Sequence, residues 1–388
     1  MAATMNDVPG LDPERLQRVY ASMERDIEAE ICDGAVLLVA RGGHIAMHEA
    51  LGWAHRESRR ATRLDDVFHL NSISKQMTAC TVLQAIDRGD LSLLTPVCEI
   101  VEEFGRRGKQ RVTVRDILSH QSGINTEIPF GVMMPSDIFN IEALVARISD
   151  ERIFRRPGRS VSYNAMSAHA VLAEMVRRID GGERTFGQIL RDDLFEPLGM
   201  GDTSFSLRAD LAERRVPLVA RYRSEGLFDP IMLTSMNDIY DENTEFPSGG
   251  VIGTTADLFR FTEMLRRGGE LDGVRILSRE ILAEALTNQT GEHPNDIFDY
   301  AREMRGWPDW PAYIGLTFFL RGEGLFPTSM GHLTSPSTYS GQGAGSTLFW
   351  VDPERDLTFI CLTAGLLEDG DNMLRFQRLS DLVVGAVC

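Results

Sequence analysis

Strand-like segments lie near both ends of this chain of 388 residues, and the long stretch between them has helical periodicity. Residues 35–40 and 45–53 are apolar runs joined by a Gly42-Gly43 turn, which is typical of a β-hairpin. After residue 300, strands are predicted at 313–320, 346–351 and 357–363. Because both ends contribute strands, we expect one sheet built from the two ends with a mainly helical region inserted into it. The predicted fold class is therefore α+β, and alternating βα units are disfavoured.

Helix signals occur at both ends of the chain and throughout its middle. Asp12 is a favourable N-cap and Pro13 follows at the first helical position, so a helix is predicted to begin there. A second terminal helix is predicted over residues 373–387. Between them, apolar periodicity predicts helices over 72–87, 138–148, 168–179, 186–194 and, capped by Thr255, 257–265.

Composition disfavours several classes of function. Asp and Glu number 57 against 40 Lys and Arg, which leaves a net charge of −17. Such a surface repels phosphate backbones and anionic lipids, so we expect no nucleic-acid partner and no membrane partner. No run approaches the roughly twenty apolar residues of a transmembrane helix, and the first ten residues show no signal-peptide pattern. The five cysteines are scattered without a C-x-x-C pair, and we expect a cytoplasmic protein.

The sharpest local signal is Ser72-Ile73-Ser74-Lys75 at the start of a predicted helix. A spacing of three places the Ser72 hydroxyl and the Lys75 amine on one helix face, within reach of a shared proton. Serine needs such a base to act as a nucleophile, and a lysine among apolar neighbours can lose its proton near neutral pH. Because only two lysines, Lys75 and Lys109, occur among the 40 basic residues, a lysine at this spacing is unlikely to be accidental.

Several sequence blocks resemble serine β-lactamases and penicillin-binding proteins. The branch that they resemble most contains class C β-lactamases, D-alanyl carboxypeptidases, family VIII carboxylesterases and the statin-pathway acyltransferases. The blocks follow the family order and cover nearly the whole chain; they lie at residues 52–54, 67–72, 112–123, 195–205, 247–258 and 348–353. This resemblance implies a β-lactamase-like fold with terminal helices against an antiparallel sheet. We expect residues 1–70 and 256–388 to form the sheet domain, 71–255 the helical domain, and the cleft between them the active site.

The resemblance assigns a second catalytic element to Tyr163, in the segment Ser162-Tyr163-Asn164-Ala165. A phenol near a lysine ammonium has a lowered pKa, so Tyr163 is expected to relay a proton with Lys75. Two residues after the tyrosine stands Ala165, where the lactamase pattern has asparagine. An amide that would contact a β-lactam side chain is therefore expected to be missing.

The third family element, a strand of the type Lys-Thr-Gly, His-x-Gly or Trp-Gly-Gly, corresponds to Gly341-Gln342-Gly343. It contains no cation to bind a substrate carboxylate, and Gln342 and Gly343 are expected to bind substrate. By the family's geometry, the N–H groups of Ser72 and Ala344 form the oxyanion hole. This register is open to a slip of one or two residues, because glycines recur at 341, 343 and 345.

Other motifs are weak, and no metal site and no cofactor are expected. There is neither an H-E-x-x-H zinc motif nor a G-x-S-x-G nucleophile elbow. His120 is expected to have a structural role near the site, and His69 to be buried and paired. An aromatic group formed by Trp307, Trp310, Tyr313 and the Phe318-Phe319 pair is interpreted as core packing or as the lining of an acyl pocket.

The leading hypothesis is a serine acyl-enzyme hydrolase or transferase that acts on a small-molecule ester or thioester, with an expected place in secondary metabolism. A β-lactamase or D-amino-acid peptidase is the second interpretation. A third is a repurposed cleft that binds a ligand or catalyses a non-hydrolytic reaction. The long segments 125–137, 221–246 and 291–310 are expected to be loops that set specificity, and a homo-oligomer is possible.

Overall fold

The computed structural model of the protein describes residues 4–125, 135–222, 229–344 and 346–388. Its helices are α1 Pro13–Glu28, α2 Ser74–Asp87, α3 Val114–Leu118, α4 Pro135–Ile138, α5 Ile141–Asp150, α6 Ala168–Ile179, α7 Phe186–Leu190, α8 Pro230–Ile239, α9 Thr255–Arg266, α10 Arg279–Ala285, α11 Asp299–Arg305 and α12 Asp369–Val384. Its strands are β1 Gly34–Arg41, β2 His44–His55, β3 Arg60–Ala61, β4 Phe68–His69, β5 Ile252–Gly253, β6 Glu270–Leu271, β7 Val274–Arg275, β8 Phe319–Leu320, β9 Tyr339–Gly343, β10 Thr347–Asp352 and β11 Leu357–Ala364.

The main sheet is assembled from the two ends of the chain, as predicted. Over the described residues its strand order is β3-β2-β1-β11-β10-β9-β8, and every neighbouring pair is antiparallel. The junction between the two ends is the β1–β11 ladder, which runs from Gly34 opposite Ala364 to Arg41 opposite Leu357. The α+β fold class is thereby confirmed.

Strand β1 is buried on both faces, so it divides the apolar core into two layers. Ala35, Leu37 and Val39 pack in one cluster with residues of α1 and α12, the two terminal helices. Val36 and Leu38 point the other way, into a cluster that contains residues of α2, α6 and α9. This alternation follows from the two-residue period of a strand, and on this second face α9 contacts β1, β10 and β11. The predicted flanking by terminal helices is confirmed.

Helix α2 is the central helix of the inserted region. Its first ten residues are all buried, including five polar ones, which marks a helix enclosed on every side rather than one with a solvent face. A 3₁₀ turn, Asn71–Ile73, leads into it, so the helical segment predicted over 72–87 begins with a tighter turn.

Several predicted boundaries are wrong for identifiable reasons. The strand predicted over 313–320 is limited to β8, because Tyr313 and Thr317 have positive φ angles of 46° and 77° and turn the backbone. The helix predicted over 138–148 is divided into α4 and α5, and Asn140 caps α5 by accepting a hydrogen bond from the Ala143 N–H. The cap of α9 is Thr254 rather than Thr255.

The segments expected to be specificity loops contain helices. Helix α8 lies within the segment 221–246, with Asp229 as its N-cap and Pro230 at its first position. Helix α11 lies within 291–310. Most of the segment 125–137 is outside the described residues, apart from its two ends. Within the described chain, no helix combines the length and apolar character needed to cross a membrane.

Candidate active site

Ser72 and Lys75 lie side by side at the start of α2, as their spacing predicts. The Lys75 Nζ atom is 3.1 Å from the Ser72 Oγ atom. Ser72 sits in the 3₁₀ turn before α2, where backbone N–H groups have no partner within the helix. The sequence therefore places a hydroxyl and an amine side by side at the start of a helix.

Lys75 is completely buried, and besides Ser72 its hydrogen-bond partners are two backbone carbonyls. The Nζ atom donates to the carbonyl oxygens of Ala165 and Ser248, each at 2.8 Å. Burial lowers the pKa of Lys75 well below its usual value of 10.5. Ser248 belongs to a sequence block noted for its family resemblance, but a backbone carbonyl carries no side-chain signal, so its contact with Lys75 was missed.

Tyr163 completes a compact group with Ser72 and Lys75. Its ring centroid is 5.1 Å from the Lys75 Nζ atom, and its side chain is hydrogen-bonded to that of Ser72. Burial raises the pKa of Tyr163 above its usual value of 10, and the hydrogen bond with Ser72 opposes this only partly. The prediction of a lowered pKa for Tyr163 is wrong, because burial disfavours the phenolate more than the neighbouring groups favour it.

His120 holds the backbone on both sides of Tyr163. Its carbonyl oxygen accepts from the Ser162 N–H at 2.9 Å, and its Nδ1 atom accepts from the Asn164 N–H at 3.1 Å. The His120 and Tyr163 ring centroids are 4.3 Å apart. Burial, with a smaller contribution from the Lys75 charge, lowers the pKa of His120 to about 3, so Nδ1 is free to accept. The expected structural role near the site agrees with these contacts.

The Asn164 side chain faces away from Ser72 and stabilises the start of α6. Its Oδ1 atom accepts from the N–H groups of Ser167 and Ala168, and its Nδ2 atom donates to the Asn125 carbonyl. Asn164 is therefore not a substitute for the amide that is missing at Ala165. What Ala165 contributes is its carbonyl oxygen, which accepts from Lys75.

The Gly341-Gln342-Gly343 segment forms most of strand β9. It lies next to the 3₁₀ turn Asn71–Ile73, called the Ser72 turn below. A Cβ atom on Gly343 would lie 2.4 Å from the Leu70 carbonyl oxygen, and one on Gly341 would lie 2.6 Å from the Gln76 Oε1 atom. The two glycines therefore allow β9 to approach the start of α2 closely. Ala344 follows β9 and lines the same two cavities as Ser72.

Two cavities meet at Ser72. The large cavity, of about 400 Å³, is lined by Asn71, Ser72, Ile138, Phe139, Ala165, Met166, Asp229, Ile231, Met232, Leu233, Ser235, Met236, Ile239, Phe246, Ser248, Gly249 and Ala344. The small cavity, of about 60 Å³, is lined by Ser72, Tyr163, Ile297, Phe298, Phe319, Ser329, Gln342, Gly343, Ala344, Asp369, Asn372 and Met373. Gln342 and Gly343 thus lie in the small cavity. The segment 221–246 was expected to line the cleft as a loop; that it does so through α8 was missed, although the apolar residues at 232, 233, 236 and 239 have helical spacing and follow the Asp229-Pro230 cap.

The remaining predicted features lie around the site rather than in it. His69 is buried, but within the described chain neither ring nitrogen has a hydrogen-bond partner, so the expected pairing is wrong. Trp310 packs with Trp307 and Phe326, whereas Phe319 stacks on Tyr163 with ring centroids 5.5 Å apart. No group of three or more potential metal-binding side chains occurs in the part of the chain that the structure describes.

An antiparallel sheet with an inserted helical region and a buried Ser72/Lys75 pair defines a protein of the β-lactamase fold. The Beta-lactamase family model matches residues 22–382, so the chain belongs to the beta-lactamase family, whose members include serine hydrolases. This family assignment confirms the resemblance inferred from the sequence blocks.

Two curated relatives illustrate the range of the family. The chain is 24% identical over 377 residues to "Esterase/beta-lactamase LipL" of Mycobacterium tuberculosis, covering 90% of this chain and 80% of the relative. It is 31% identical over 291 residues to "Penicillin-binding protein 4" of Amycolatopsis lactamdurans, covering 73% of each protein.

Solved structures confirm the fold. A family VIII carboxylesterase superposes with a TM-score of 0.76 at 20% identity, covering 98% of this chain and 100% of the other. Simvastatin synthase of Aspergillus terreus superposes with a TM-score of 0.74 at 16% identity, covering 96% of this chain and 98% of the other. At these identities the likeness supports the fold alone.

Proposed function

We propose that the protein is a serine acyl-enzyme hydrolase or acyltransferase that acts on a neutral small-molecule ester or thioester, with Ser72 as the nucleophile. The observation that carries this proposal is the set of hydrogen-bond partners of the buried Lys75 amine. Two of them, the carbonyls of Ala165 and Ser248, can only accept, whereas the third, the Ser72 hydroxyl, can also donate.

This pattern suits a neutral amine acting as a base. A neutral amine has two N–H bonds, which the two carbonyls take up, and one lone pair, which remains for the Ser72 hydroxyl proton. Burial lowers the pKa of Lys75 and so favours this neutral form of the amine. Removal of the Ser72 proton by Lys75 then produces the alkoxide that attacks the substrate carbonyl.

Tyr163 supplies the proton that the leaving group needs. Because burial raises its pKa, the phenol is protonated at neutral pH and can donate to the departing alkoxide oxygen or thiolate sulfur. The Lys75 ammonium formed in the first step returns a proton to the Tyr163 oxygen, which restores both groups. In the second half of the reaction, water or an acceptor alcohol or amine attacks the acyl group, and the same two groups move its proton.

Oxyanion stabilisation is assigned to the N–H groups of Ser72 and Ala344. Close packing of Gly343 on the Leu70 carbonyl brings the end of β9 against the Ser72 turn. Thr347 on β10 donates to the same carbonyl at 3.0 Å and fixes this approach. Donors held in place before the reaction are worth more than mobile ones, because no reorganisation accompanies the development of charge.

The charges around the cavities favour a neutral substrate. Among the described residues that line them there is no lysine, arginine or histidine, whereas Asp229 and Asp369 are present. Among these described lining residues, a substrate carboxylate would meet two carboxylates and no cation. This disfavours the alternative of a β-lactamase or D-amino-acid peptidase, whose substrates carry a carboxylate, and Ala165 and the Gly-Gln-Gly strand point the same way.

A comparison of neutral and anionic substrates tests the proposal. We expect wild type to hydrolyse p-nitrophenyl butyrate with a kcat/KM that is higher than that for the anionic cephalosporin nitrocefin by about 100-fold or more. We expect Ser72→Ala to lose about 1,000-fold or more in ester hydrolysis. A preference for nitrocefin would favour the lactamase alternative, and full activity of Ser72→Ala would exclude Ser72 as the nucleophile.

A further inference from the structure

The two cavities that meet at Ser72 differ in size and chemistry. The large cavity is lined mainly by aliphatic, methionine and phenylalanine side chains, whereas the small cavity combines polar side chains with apolar ones; the polar ones are Tyr163, Gln342, Asp369 and Asn372, and the apolar ones Ile297, Phe298, Phe319 and Met373. One group of the substrate is therefore bound mainly by apolar contact, and the other in a shorter space that also offers polar contacts. The position of Tyr163, the proposed proton donor, decides which cavity holds the leaving group and which holds the acyl group.

Tyr163 lines the small cavity and is absent from the walls described for the large one. The group that protonates the leaving atom must lie within hydrogen-bond reach of it. The leaving alcohol or thiol is therefore placed in the small cavity. With the carbonyl oxygen directed at the Ser72 and Ala344 N–H groups, the acyl chain extends into the large cavity.

From this placement, which rests on the proposed function, we infer that the large cavity binds an unbranched aliphatic acyl chain of medium length. A methylene group occupies roughly the volume of a water molecule, about 30 Å³, and a chain does not fill a cavity completely. A volume of about 400 Å³ thus accommodates a chain of about eight carbons. Met166, Met232 and Met236 give the wall unbranched, flexible side chains that adapt to such a chain.

Helix α8 forms a fixed wall of the large cavity. The Asn237 Oδ1 atom accepts from the Leu218 N–H at 2.9 Å, and its Nδ2 atom donates to the Leu218 carbonyl at 2.8 Å. The Tyr240 hydroxyl, just after the helix, donates to the Phe205 carbonyl at 2.8 Å. These contacts hold the C-terminal end of α8, so the part of the wall that Met236 and Ile239 form is fixed by the fold.

The mouth of the large cavity lies at the N-terminal end of α8. Ile231 is 76% exposed although it lines the cavity, and the carboxylate of the adjacent Asp229 accepts from the Ile231 N–H. A carboxylate at the mouth repels an acyl chain that ends in a second carboxylate. The inferred chain is thus neutral as well as aliphatic.

The test is a chain-length series of ethyl esters from acetate to dodecanoate, because the leaving ethanol is small enough for the small cavity. If each buried methylene contributes fully, kcat/KM rises about fourfold per methylene up to about eight carbons and then falls. Met236→Trp fills the cavity and is expected to move the optimum to butyrate or acetate. Asp238→Trp, an exposed position on the same helix outside the cavity, is the matched control and is expected to keep the wild-type optimum.

Two further measurements keep the inference separate from the proposed function. Met232→Ala widens the cavity at a half-buried position and is expected to move the optimum to longer chains, which guards against a folding defect in Met236→Trp. Binding of ethyl octanoate and ethyl acetate to Ser72→Ala, measured by calorimetry, reports on the cavity without chemistry. We expect Ser72→Ala to bind ethyl octanoate at least tenfold more tightly than ethyl acetate. In the double variant Ser72→Ala/Met236→Trp we expect this difference in affinity to disappear.

The outcomes separate the two claims. Acetate turnover without a chain-length preference would overturn the acyl-chain inference and leave the proposed function standing. Selective binding of ethyl octanoate by Ser72→Ala, together with absence of any ester turnover by wild type, would support the cavity and overturn the proposed function. Absence of both selective octanoate binding and ester turnover would overturn the acyl-chain inference and the proposed function together.

Discussion

His120 accepts hydrogen bonds from the backbone on either side of Tyr163, through its carbonyl oxygen and through its Nδ1 atom. A single residue, with a positive φ of 57°, therefore sets the position of the phenol relative to Ser72. In the proposed mechanism His120 touches no substrate, and its effect passes through Tyr163.

We expect His120→Ala to lower kcat by about 100-fold with little change in KM, because a small displacement of the phenol disturbs proton transfer. His120→Asn is expected to retain most of the activity, because its Oδ1 atom can replace Nδ1 and asparagine tolerates positive φ. The measurement is a double-mutant cycle with Tyr163→Phe. A full additional loss from His120→Ala in the Tyr163→Phe background would show that His120 acts independently of the phenol.

The buried Lys75 amine should lose its proton well below pH 10.5. The protein offers a direct measurement, because Lys75 and Lys109 are its only lysines and both are buried. In protein labelled with ¹³C-lysine, NMR is expected to show two side-chain signals, assigned with Lys109→Arg. Burial lowers the pKa of Lys109 less, since Glu151 and Asp150 raise it, so the Lys75 signal should titrate at the lower pH.

The same ionisation should govern the pH dependence of catalysis. As pH rises through the Lys75 pKa, the amine becomes neutral and kcat/KM should rise, with no descending limb from Tyr163 until strongly alkaline pH. If Lys75 titrates near its usual value while the activity is already maximal at neutral pH, another group must be the base.

Three buried histidines should make the fold sensitive to acid. Burial lowers the pKa values of His69 and His120 to about 3, and that of His169 well below 6.5. Below pH 6.5 the unfolded chain binds protons that the folded chain does not, so the free energy of unfolding falls as pH falls. Each histidine contributes up to about 1.4 kcal/mol per pH unit below 6.5.

Urea denaturation at pH 7.5, 6.5 and 5.5 measures this slope. His69→Leu removes a ring with two unpartnered nitrogens within the described chain, so it is expected to reduce the slope by about a third. His44→Gln, at an exposed position, serves as the control and should leave the slope unchanged. Equal slopes for wild type and His69→Leu would show that His69 does not resist protonation in the folded state.

Gly343 should be required for the geometry of the oxyanion hole. In Gly343→Ala the new Cβ atom would lie 2.4 Å from the Leu70 carbonyl oxygen, so β9 must move away from the Ser72 turn. We expect kcat to fall by about 100-fold or more, as when an oxyanion donor is lost, together with a lower melting temperature. Gly201→Ala is the matched control, since its Cβ atom would meet nothing within 4 Å. Equal activity of the two variants would contradict the placement of Ala344.

The parts of the site that depend on local spacing were predictable from the sequence. The pairing of Ser72 with Lys75 follows from helix geometry, and the order of the family blocks placed Tyr163 and the glycine strand. The sheet was predictable because its central strands, β1, β10 and β11, are apolar runs that are buried on both faces.

The parts that depend on distant contacts were not predictable in this way. The direction of the Tyr163 pKa shift is set by how deeply the ring is buried, which no local pattern reveals. The carbonyls of Ala165 and Ser248 meet at Lys75 only through the tertiary fold. The strand predicted over 313–320 failed because its apolar pattern does not report the positive φ angles of Tyr313 and Thr317.

The most direct test of the central claim is the intact mass of the protein after brief incubation with p-nitrophenyl butyrate and acid quenching. The account predicts a mass increase of one butyryl group on wild type, located on the peptide that contains Ser72, and no increase on Ser72→Ala. Ester turnover without such an adduct, even on a millisecond timescale, or an equal adduct on Ser72→Ala, would contradict an acyl-enzyme at Ser72.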